Sequence, residues 1–268
     1  MHHNTKHIKD SYQYAGIQME LVDKVRLLKD KYAGERCFIV GAGPSLKNYD
    51  VDDLKDKLKD ELIITLKQSY ELLEEIVDYQ ILNFSNWRTY NYKNNNPIIV
   101  WELFERNHID IILQKNIKYD ILLPTEGNWN EDEMEKFKNS QCGSLSFDDW
   151  TLDKTVFRQF GPSLIFEMAI PLALYMGVKE IITLGWDIGD IDKFRETGEE
   201  EIFQEHFDNS LKKIEYAKTS QTRLELETII NSTEFLNKWL KGKDVDLKII
   251  SDRNPAHESI ERMEFDAL

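Results

Sequence analysis

The stretch that decides the fold is Cys37-Phe38-Ile39-Val40-Gly41-Ala42-Gly43-Pro44-Ser45-Leu46. Its apolar, β-prone first half stops abruptly at two glycines, a proline and a serine, and this pattern predicts a buried parallel strand that enters a tight turn. Glycine lets a ligand approach the backbone closely, and Ser45 is a favourable N-cap for a following helix. Backbone N–H groups at such a turn suit a phosphate group. We therefore expect Gly41, Ala42, Gly43, Pro44 and Ser45 to bind a nucleotide, with a plain strand-to-helix turn as the alternative.

Composition predicts a globular protein with one large core. The chain has 268 residues, of which 41% are hydrophobic and 31% are charged, and its formal net charge is −15. A field of that sign repels polyanions, so we expect no nucleic-acid partner. Any bound phosphate must be held by local donors or a metal.

Cysteine usage and hydropathy predict a cytoplasmic location. The two cysteines, Cys37 and Cys142, fit neither a disulfide framework nor a metal cluster. Apolar runs are shorter than a membrane span, and residues 1–10 lack the apolar core of a signal peptide. Peripheral contact with a membrane and formation of a homo-oligomer are left open.

Strand-like and helix-like segments alternate along the chain, which predicts an α/β, Rossmann-like fold with a mostly parallel sheet flanked by helices. We expect residues 1–34 to form an N-terminal helical segment, which we call the preamble, and residues 35–268 to form a single nucleotide-binding domain. Within it, residues 188–216 are polar and acidic, so we expect a lid that is mobile without ligand. The predicted strands are 37–40, 61–66, 79–83, 98–101, 181–184 and 245–250, with edge strands in 108–113 and 120–123. The predicted helices are 50–60, 70–77, 163–177 and a segment closed by Gly242.

Polar residues follow the predicted strands and would meet at one edge of a parallel sheet, where α/β proteins bind ligands. They are Gly41, Gly43, Ser45, Lys67, Gln68, Asn83, Ser85, Asp187 and Ser251. Amide side chains suit ribose hydroxyls and base edges, and Lys67 suits a phosphate. Asp187 suits a divalent cation that bridges phosphates, or equally a cap for the segment that follows it. Each residue taken alone is as well explained by solvation of a loop.

Histidine is the usual general base near neutral pH. His206, inside the predicted lid, is the best placed, and an exposed helical histidine is the alternative interpretation. His257, after the last strand, comes second. The third glycine of a dinucleotide-binding turn is replaced by Leu46, which disfavours a nicotinamide cofactor.

Two motifs carry a resemblance to known families over roughly residues 36–190. The first is Phe38 through Leu46, and the second runs from Ser163 through Gly177-Val178-Lys179-Glu180-Ile181-Ile182-Thr183-Leu184-Gly185-Trp186-Asp187. Together they resemble the bacterial lipooligosaccharide sialyltransferases and the 6-hydroxymethylpterin pyrophosphokinase (MptE)-like family. Ala42 stands where the sialyltransferases carry an asparagine, and Lys218-Thr219-Ser220-Gln221 stands where they carry a histidine base.

This resemblance implies a Rossmann-like nucleotide-binding domain with a flexible lid, and a nucleotide-dependent transferase. We expect Ser163, which opens the second motif, to contact the nucleotide, and His206 and Asp187 to be catalytic. The first expectation is glycosyl transfer from a CMP-sugar-like donor to a glycan or small-molecule acceptor in bacterial surface-glycan synthesis, without a metal. The alternatives are an ATP- and Mg²⁺-dependent pyrophosphokinase, with Mg²⁺ on Asp187, and a non-catalytic nucleotide-binding protein.

Overall fold

The protein is described from a computed structural model. It covers residues 21–83, 90–92, 96–103, 111–112, 114–126, 152, 158–159, 165–187, 203–208, 213–218, 223–251, 254 and 256–268.

A parallel sheet forms the centre of the molecule. Within the residues described, nine strands lie in the order β11-β10-β7-β1-β2-β3-β4-β5-β6, and each neighbouring pair is parallel. The strands are β1 Arg36–Val40, β2 Leu62–Leu66, β3 Tyr79–Leu82, β4 Ile98–Leu103, β5 Ile121–Glu126, β6 Arg158–Gln159, β7 Glu180–Leu184, β10 Asp246–Ile250 and β11 Glu261–Arg262. A separate antiparallel hairpin consists of β8 Phe203–Asp208 and β9 Lys213–Lys218.

Helices cover both faces of this sheet. They are α1 Leu21–Arg26, α2 Val51–Leu58, α3 Ile170–Tyr175 and α4 Arg223–Gly242, and a π-helical turn, Ile165–Ala169, leads into α3. Alternate residues of β1 enter different cores, because successive side chains of a strand point to opposite faces. Cys37 and Ile39 pack with α3 and α4, whereas Phe38 and Val40 pack with α2. The predicted α/β, Rossmann-like fold with a parallel sheet flanked by helices is confirmed.

Chain order creates a topological switch between β1 and β7. From β1 the chain adds strands in one direction as far as β6, and it then returns to place β7 on the other side of β1. The connections after β1 and β7 therefore leave the sheet in opposite directions. The crevice beyond the carboxyl ends of two such strands is where open α/β sheets bind ligands.

At the amino-terminal ends of the strands, aspartates that precede one strand accept hydrogen bonds from the strand beside it. The Asp78 carboxylate accepts a hydrogen bond of 2.9 Å from the Ile63 N–H, and Asp120 accepts one of 2.8 Å from the Ile99 N–H. Asp78 is buried, and burial raises the pKa of its carboxyl to about 8. These carboxyls satisfy N–H groups at the starts of β2 and β4, so their role is structural.

Several predicted elements differ from the observed ones. Residues 70–77 do not form an α-helix; residues 70–72 end a short 3₁₀ helix, Lys67–Leu72, that comes directly after β2. Residues 111 and 112, predicted within an edge strand, are helical. The alternative interpretation of His206 as helical is wrong, because it lies in β8 opposite Glu215. Ser45 is not an N-cap: Gly43 caps the 3₁₀ helix Pro44–Asn48, and α2 has its own N-cap further along the chain.

Other predicted elements agree with the structure. Strands at 37–40, 61–66, 79–83, 98–101, 120–123, 181–184 and 245–250 are present within a few residues of the predicted bounds. Val25 and Leu28 of the preamble are buried against the same face as α3, and residues 1–20 lie outside the described part. Cys37 is buried, which raises its pKa, whereas Cys142 is not described. Among the described helices, no segment is long and apolar enough to cross a membrane.

Candidate functional site

The turn after β1 is bonded to the turn after β7. The Gly41 N–H donates to the Leu184 carbonyl at 2.7 Å, and the Gly43 N–H donates to the Gly185 carbonyl at 2.9 Å. Hydrogen bonds between the two segments thus continue beyond the ends of β1 and β7, as far as Gly43 and Gly185. Two of the N–H groups expected to face a phosphate are therefore engaged by the protein itself.

Glycines at these positions are required by close packing of the two turns. Gly43 has φ −75°, so a left-handed backbone is not the reason. A Cβ atom on Gly43 would lie 2.6 Å from the Gly185 carbonyl oxygen, and one on Gly41 would lie 2.9 Å from the Gly185 carbonyl carbon. Gly185 itself has φ +60°, a backbone conformation that residues with a side chain rarely adopt. The glycines let the backbones after β1 and β7 touch.

The Asp187 carboxylate binds an N–H group of the turn after β1. The residue is 4% exposed, and its Oδ2 accepts a hydrogen bond of 2.6 Å from the Ser45 N–H. Its Oδ1 accepts a hydrogen bond from the Ser251 hydroxyl, at the end of β10. Because each carboxylate oxygen is held by a protein donor, Asp187 ties together the ends of β1, β7 and β10.

Two hydrogen-bond donors at the turn have no acceptor among the described residues. The Ala42 N–H, between the two engaged glycines, has no acceptor among the residues that the structure describes. The Ser45 hydroxyl is buried, with 1% of the residue exposed, and it also lacks a partner within the described chain. Buried polar groups without a partner are rare, and such groups mark places where a water or ligand binds.

The ends of β2 and β3 lie beside this turn. Ser69, just after β2, donates from its hydroxyl to the Val40 carbonyl at 2.6 Å and so joins the ends of β1 and β2. Lys67 has φ +54° and is half-buried, and its carbonyl accepts a 3.0 Å hydrogen bond from the Gln80 amide. Gln68 is buried, and Asn83 follows β3 directly. The sheet thus places Lys67, Gln68 and Asn83 on the same edge as the glycine turn.

An aromatic cluster supports this part of the edge. Tyr70, Tyr90 and Tyr92 pack against one another, with ring centroids 5.2 to 6.3 Å apart. The Tyr92 hydroxyl donates to the Gln80 side chain at 2.6 Å, and burial raises the pKa of both Tyr70 and Tyr92. Gln80 therefore bridges Tyr92 and the Lys67 backbone. The pattern of polar residues after strands does not predict Gln80, because this residue lies inside β3.

The hairpin β8–β9 lies against the candidate site. Strand β8, which contains His206, contacts both 3₁₀ helices, Pro44–Asn48 and Lys67–Leu72. The predicted lid, residues 188–216, therefore overlaps a hairpin whose second strand extends to Lys218. Lid motion and the catalytic role of His206 stay predictions.

The remaining predicted residues fall in different places. Ser85 and Ser163 lie outside the described residues. His257 is on the protein surface beside α4, where its backbone N–H donates to the Thr233 hydroxyl at 2.9 Å. Asn254 was not predicted, yet its side-chain amide donates to the Trp186 carbonyl and its Oδ1 accepts from the Ala256 N–H at 2.7 Å. The Asn254-Pro255 pair after the last strand is the sequence signal that points to it.

Comparisons with known proteins identify similar folds. No protein-family model matches the sequence, and no curated protein matches it. A solved structure of the MAf glycosyltransferase from Magnetospirillum magneticum AMB-1 is similar over 93% of this chain and 39% of its own, at 13% identity and a TM-score of 0.50. This chain thus spans well under half of that protein.

Two structures of the sialyltransferase CstII from Campylobacter jejuni also match. The complex with CMP-3FNeuAc matches over 80% of this chain and 79% of its own, at 15% identity and a TM-score of 0.38. The complex with cytidine-5'-monophosphate matches over 86% and 85%, at 16% identity and a TM-score of 0.39. At these identities the comparisons establish the fold, through the MAf glycosyltransferase, and leave the activity of this chain to be inferred from its own residues.

Proposed function

We propose that this chain is a glycosyltransferase that uses a nucleotide-sugar donor of the CMP-sugar type, in bacterial surface-glycan synthesis such as that of lipooligosaccharide. The observation that carries the proposal is the position of the glycine turn. It lies at the topological switch between β1 and β7, with Lys67 directly after the neighbouring strand β2 and with β8 against it. The sequence resemblance to the sialyltransferases and MptE-like proteins supports a nucleotide at this place. The fold shared with the MAf glycosyltransferase supports glycosyl transfer over pyrophosphoryl transfer.

Donors for the nucleotide phosphate are the first requirement. Gly41 and Gly43 both bond toward β7, so the intervening Ala42 N–H is the turn's remaining backbone donor. Lys67 adds a cationic side chain from the 3₁₀ helix that follows β2, and Gln68 and Asn83 provide amides for ribose or base. Such preorganised donors stabilise the negative charge that develops on a departing phosphate.

A base for the acceptor hydroxyl is the second requirement. We assign this role to His206, because β8 lies against the 3₁₀ helices that carry residues 44–48 and 67–72. An imidazole there would take the proton from the attacking hydroxyl while the nucleotide phosphate leaves. Asp187 acts indirectly, by holding the Ser45 N–H and the Ser251 hydroxyl.

The arrangement of Asp187 favours a reaction without a metal. Both of its oxygens accept protein hydrogen bonds, which leaves the carboxylate facing the turn rather than an open site. A pyrophosphokinase would need Mg²⁺ to neutralise its phosphates.

The test is calorimetric titration with CMP and ATP, in EDTA and in Mg²⁺, combined with a donor-turnover assay. We expect CMP to bind equally in both conditions, and His206→Ala to lose about 10²–10⁴-fold in turnover while CMP affinity persists. His257→Ala is the matched control and should turn over normally. Binding of ATP that requires Mg²⁺ would favour the pyrophosphokinase. Nucleotide binding with no turnover of any donor would favour a non-catalytic binding protein.

A further inference from the structure

A cleft of about 490 Å³ opens at the carboxyl end of β10, beside the glycine turn. Its walls include Asn48 and Tyr49 from the end of the 3₁₀ helix after β1, Asn254 after β10, and Arg262, Glu264 and Phe265 from β11 and the segment that follows. This volume is within the usual range for small-ligand sites. We refer to it as the β10 cleft.

The polar groups of the β10 cleft are of both kinds, donors and acceptors. Arg262 uses its Nη2 to hold the Ala256 carbonyl at 2.8 Å and the Asn254 carbonyl at 3.3 Å. Its Nε and Nη1 groups have no acceptor among the described residues, and the Glu264 carboxylate has no donor there either. The side-chain amide of Asn48 also lacks a partner within the described chain. The cleft thus presents a guanidinium, a carboxylate and an amide.

One wall of the cleft is aromatic. The rings of Tyr49 and Phe265 pack with centroids 4.3 Å apart, and the Lys57 ammonium lies 5.2 Å from the Phe265 centroid. Both aromatic residues are half-buried, so part of their surface stays available to a ligand. An aromatic wall together with donors and acceptors in the same cleft suits a ring that carries hydroxyl groups on its rim and C–H groups on its faces.

The described lining carries polar groups of both charge signs. Among the described lining residues the charged groups are one guanidinium, Arg262, and one carboxylate, Glu264, and the carboxylate would repel a doubly charged phosphate. Sugar hydroxyls both donate and accept, and they can use Arg262, Asn48 and Glu264 at the same time. The described lining therefore suits a saccharide.

The cleft is joined to the candidate site through Asp187. Ser251 lines the cleft and donates its hydroxyl to Asp187, whose other oxygen holds the Ser45 N–H at 2.6 Å. Asn254, also in the lining, holds the carbonyl of Trp186 beside Asp187. A ligand in the cleft would therefore lie next to the residues that fix the glycine turn.

From these contacts we propose that the β10 cleft binds the saccharide acceptor of the transfer reaction. The acceptor assignment rests on the proposed function, whereas the saccharide chemistry of the cleft rests on its lining alone. An acceptor held there would reach the switch point from the β10 side, whereas Lys67, directly after β2, lies on the other side. Donor and acceptor would then occupy opposite sides of the glycine turn.

The test uses Met263, which lines the cleft and supplies a methyl reporter. Protein with ¹³C-methyl methionine is titrated with lactose, N-acetylglucosamine and N-acetylneuraminic acid, and the Met263 signal is assigned with Met263→Leu. We expect at least one of these saccharides to shift it at millimolar concentration. Glu264→Gln and Asn48→Ala should each weaken that binding about tenfold, the loss expected for a hydrogen bond to a charged or well-placed polar group. Glu258→Gln, an exposed glutamate outside the cleft, is the control and should bind normally.

CMP calorimetry on the same proteins separates this proposal from the proposed function. CMP affinity that is unchanged in both cleft variants, together with weakened saccharide binding, supports the acceptor site. If no saccharide shifts Met263 while CMP still binds, the cleft proposal is overturned and the proposed function stands. If CMP itself shifts Met263 and competes with the saccharides, the cleft is part of the nucleotide site and the acceptor assignment is overturned. If CMP fails to bind at all, the proposed function fails and the acceptor assignment falls with it.

Discussion

Replacement of Asp187 by alanine is the sharpest perturbation of the switch-point turn. The substitution removes two hydrogen bonds to a carboxylate, one from the buried Ser45 N–H at 2.6 Å and one from the Ser251 hydroxyl. A hydrogen bond to a charged group contributes about 1.5–3 kcal/mol, so the loss of both should cost about 3–6 kcal/mol of unfolding free energy. Asp187→Asn should cost only about 2 kcal/mol, because asparagine can accept from Ser45 and donate to the Ser251 oxygen.

Urea denaturation measures these differences as shifts in the midpoint at constant m value. Asp246→Ala, an exposed aspartate at the other end of β10, is the matched control and should change stability by less than about 0.5 kcal/mol. In a double-mutant cycle with Ser251→Ala, the coupling energy should account for a large part of the Asp187 effect. An Asp187→Ala protein as stable as the control would refute the inference that this carboxylate holds the turn.

Two further predictions concern pH dependence and motion. Burial raises the pKa of Asp78 from 3.8 to about 8, so the folded state binds more protons than the unfolded state between these values, and the unfolding free energy should fall as the pH rises across that window. Asp78→Asn should remove this fall, because the substitution removes the titrating carboxyl, and the amide oxygen can still accept the hydrogen bond from the Ile63 N–H. In pH-resolved urea melts, a variant that keeps the same slope as the wild type would contradict the assignment. For the hairpin β8–β9, we expect hydrogen exchange that is fast in the free protein and slows when CMP is added, because it lies against the candidate nucleotide turn. Equal protection with and without CMP would exclude a gating role.

The elements that sequence patterns predicted well are those with a strong local signal. The apolar runs of β1 and β7 stop at glycines, and both strands lie within a residue of their predicted bounds. Val51, Leu54 and Leu58 follow helical spacing, and Leu54 and Leu58 are buried in α2. Strong periodicity and glycines at strand ends are local properties of the sequence, so the elements they predict do not depend on contacts between distant segments.

The elements that escaped prediction depend on contacts between distant segments. Two-residue strands such as β11 have no pattern of their own, because the neighbouring strand alone makes them strands. Residues 67–72 form a 3₁₀ helix partly because Ser69 bonds back to β1 and to Leu66. The polar composition of residues 203–208 concealed a hairpin strand.

The candidate site was predicted in outline but not in its detail. The strand ends meet at one edge, as expected for a parallel sheet, because that follows from topology. That the Gly41 and Gly43 N–H groups bond to Leu184 and Gly185, and that Asp187 accepts from the Ser45 N–H, depend on which strand lies next to β1. A sequence without known strand order leaves that choice open, and nucleotide binding by the glycine turn stays a prediction.

A crystal structure of the protein with CMP tests the central claim most directly. The account predicts the CMP phosphate at the switch between β1 and β7, within hydrogen-bonding distance of the Ala42 N–H and the Lys67 ammonium, with Asp187 still bonded to Ser45. Density for CMP at another place, or a phosphate that displaces the Asp187 carboxylate from the Ser45 N–H, would contradict it.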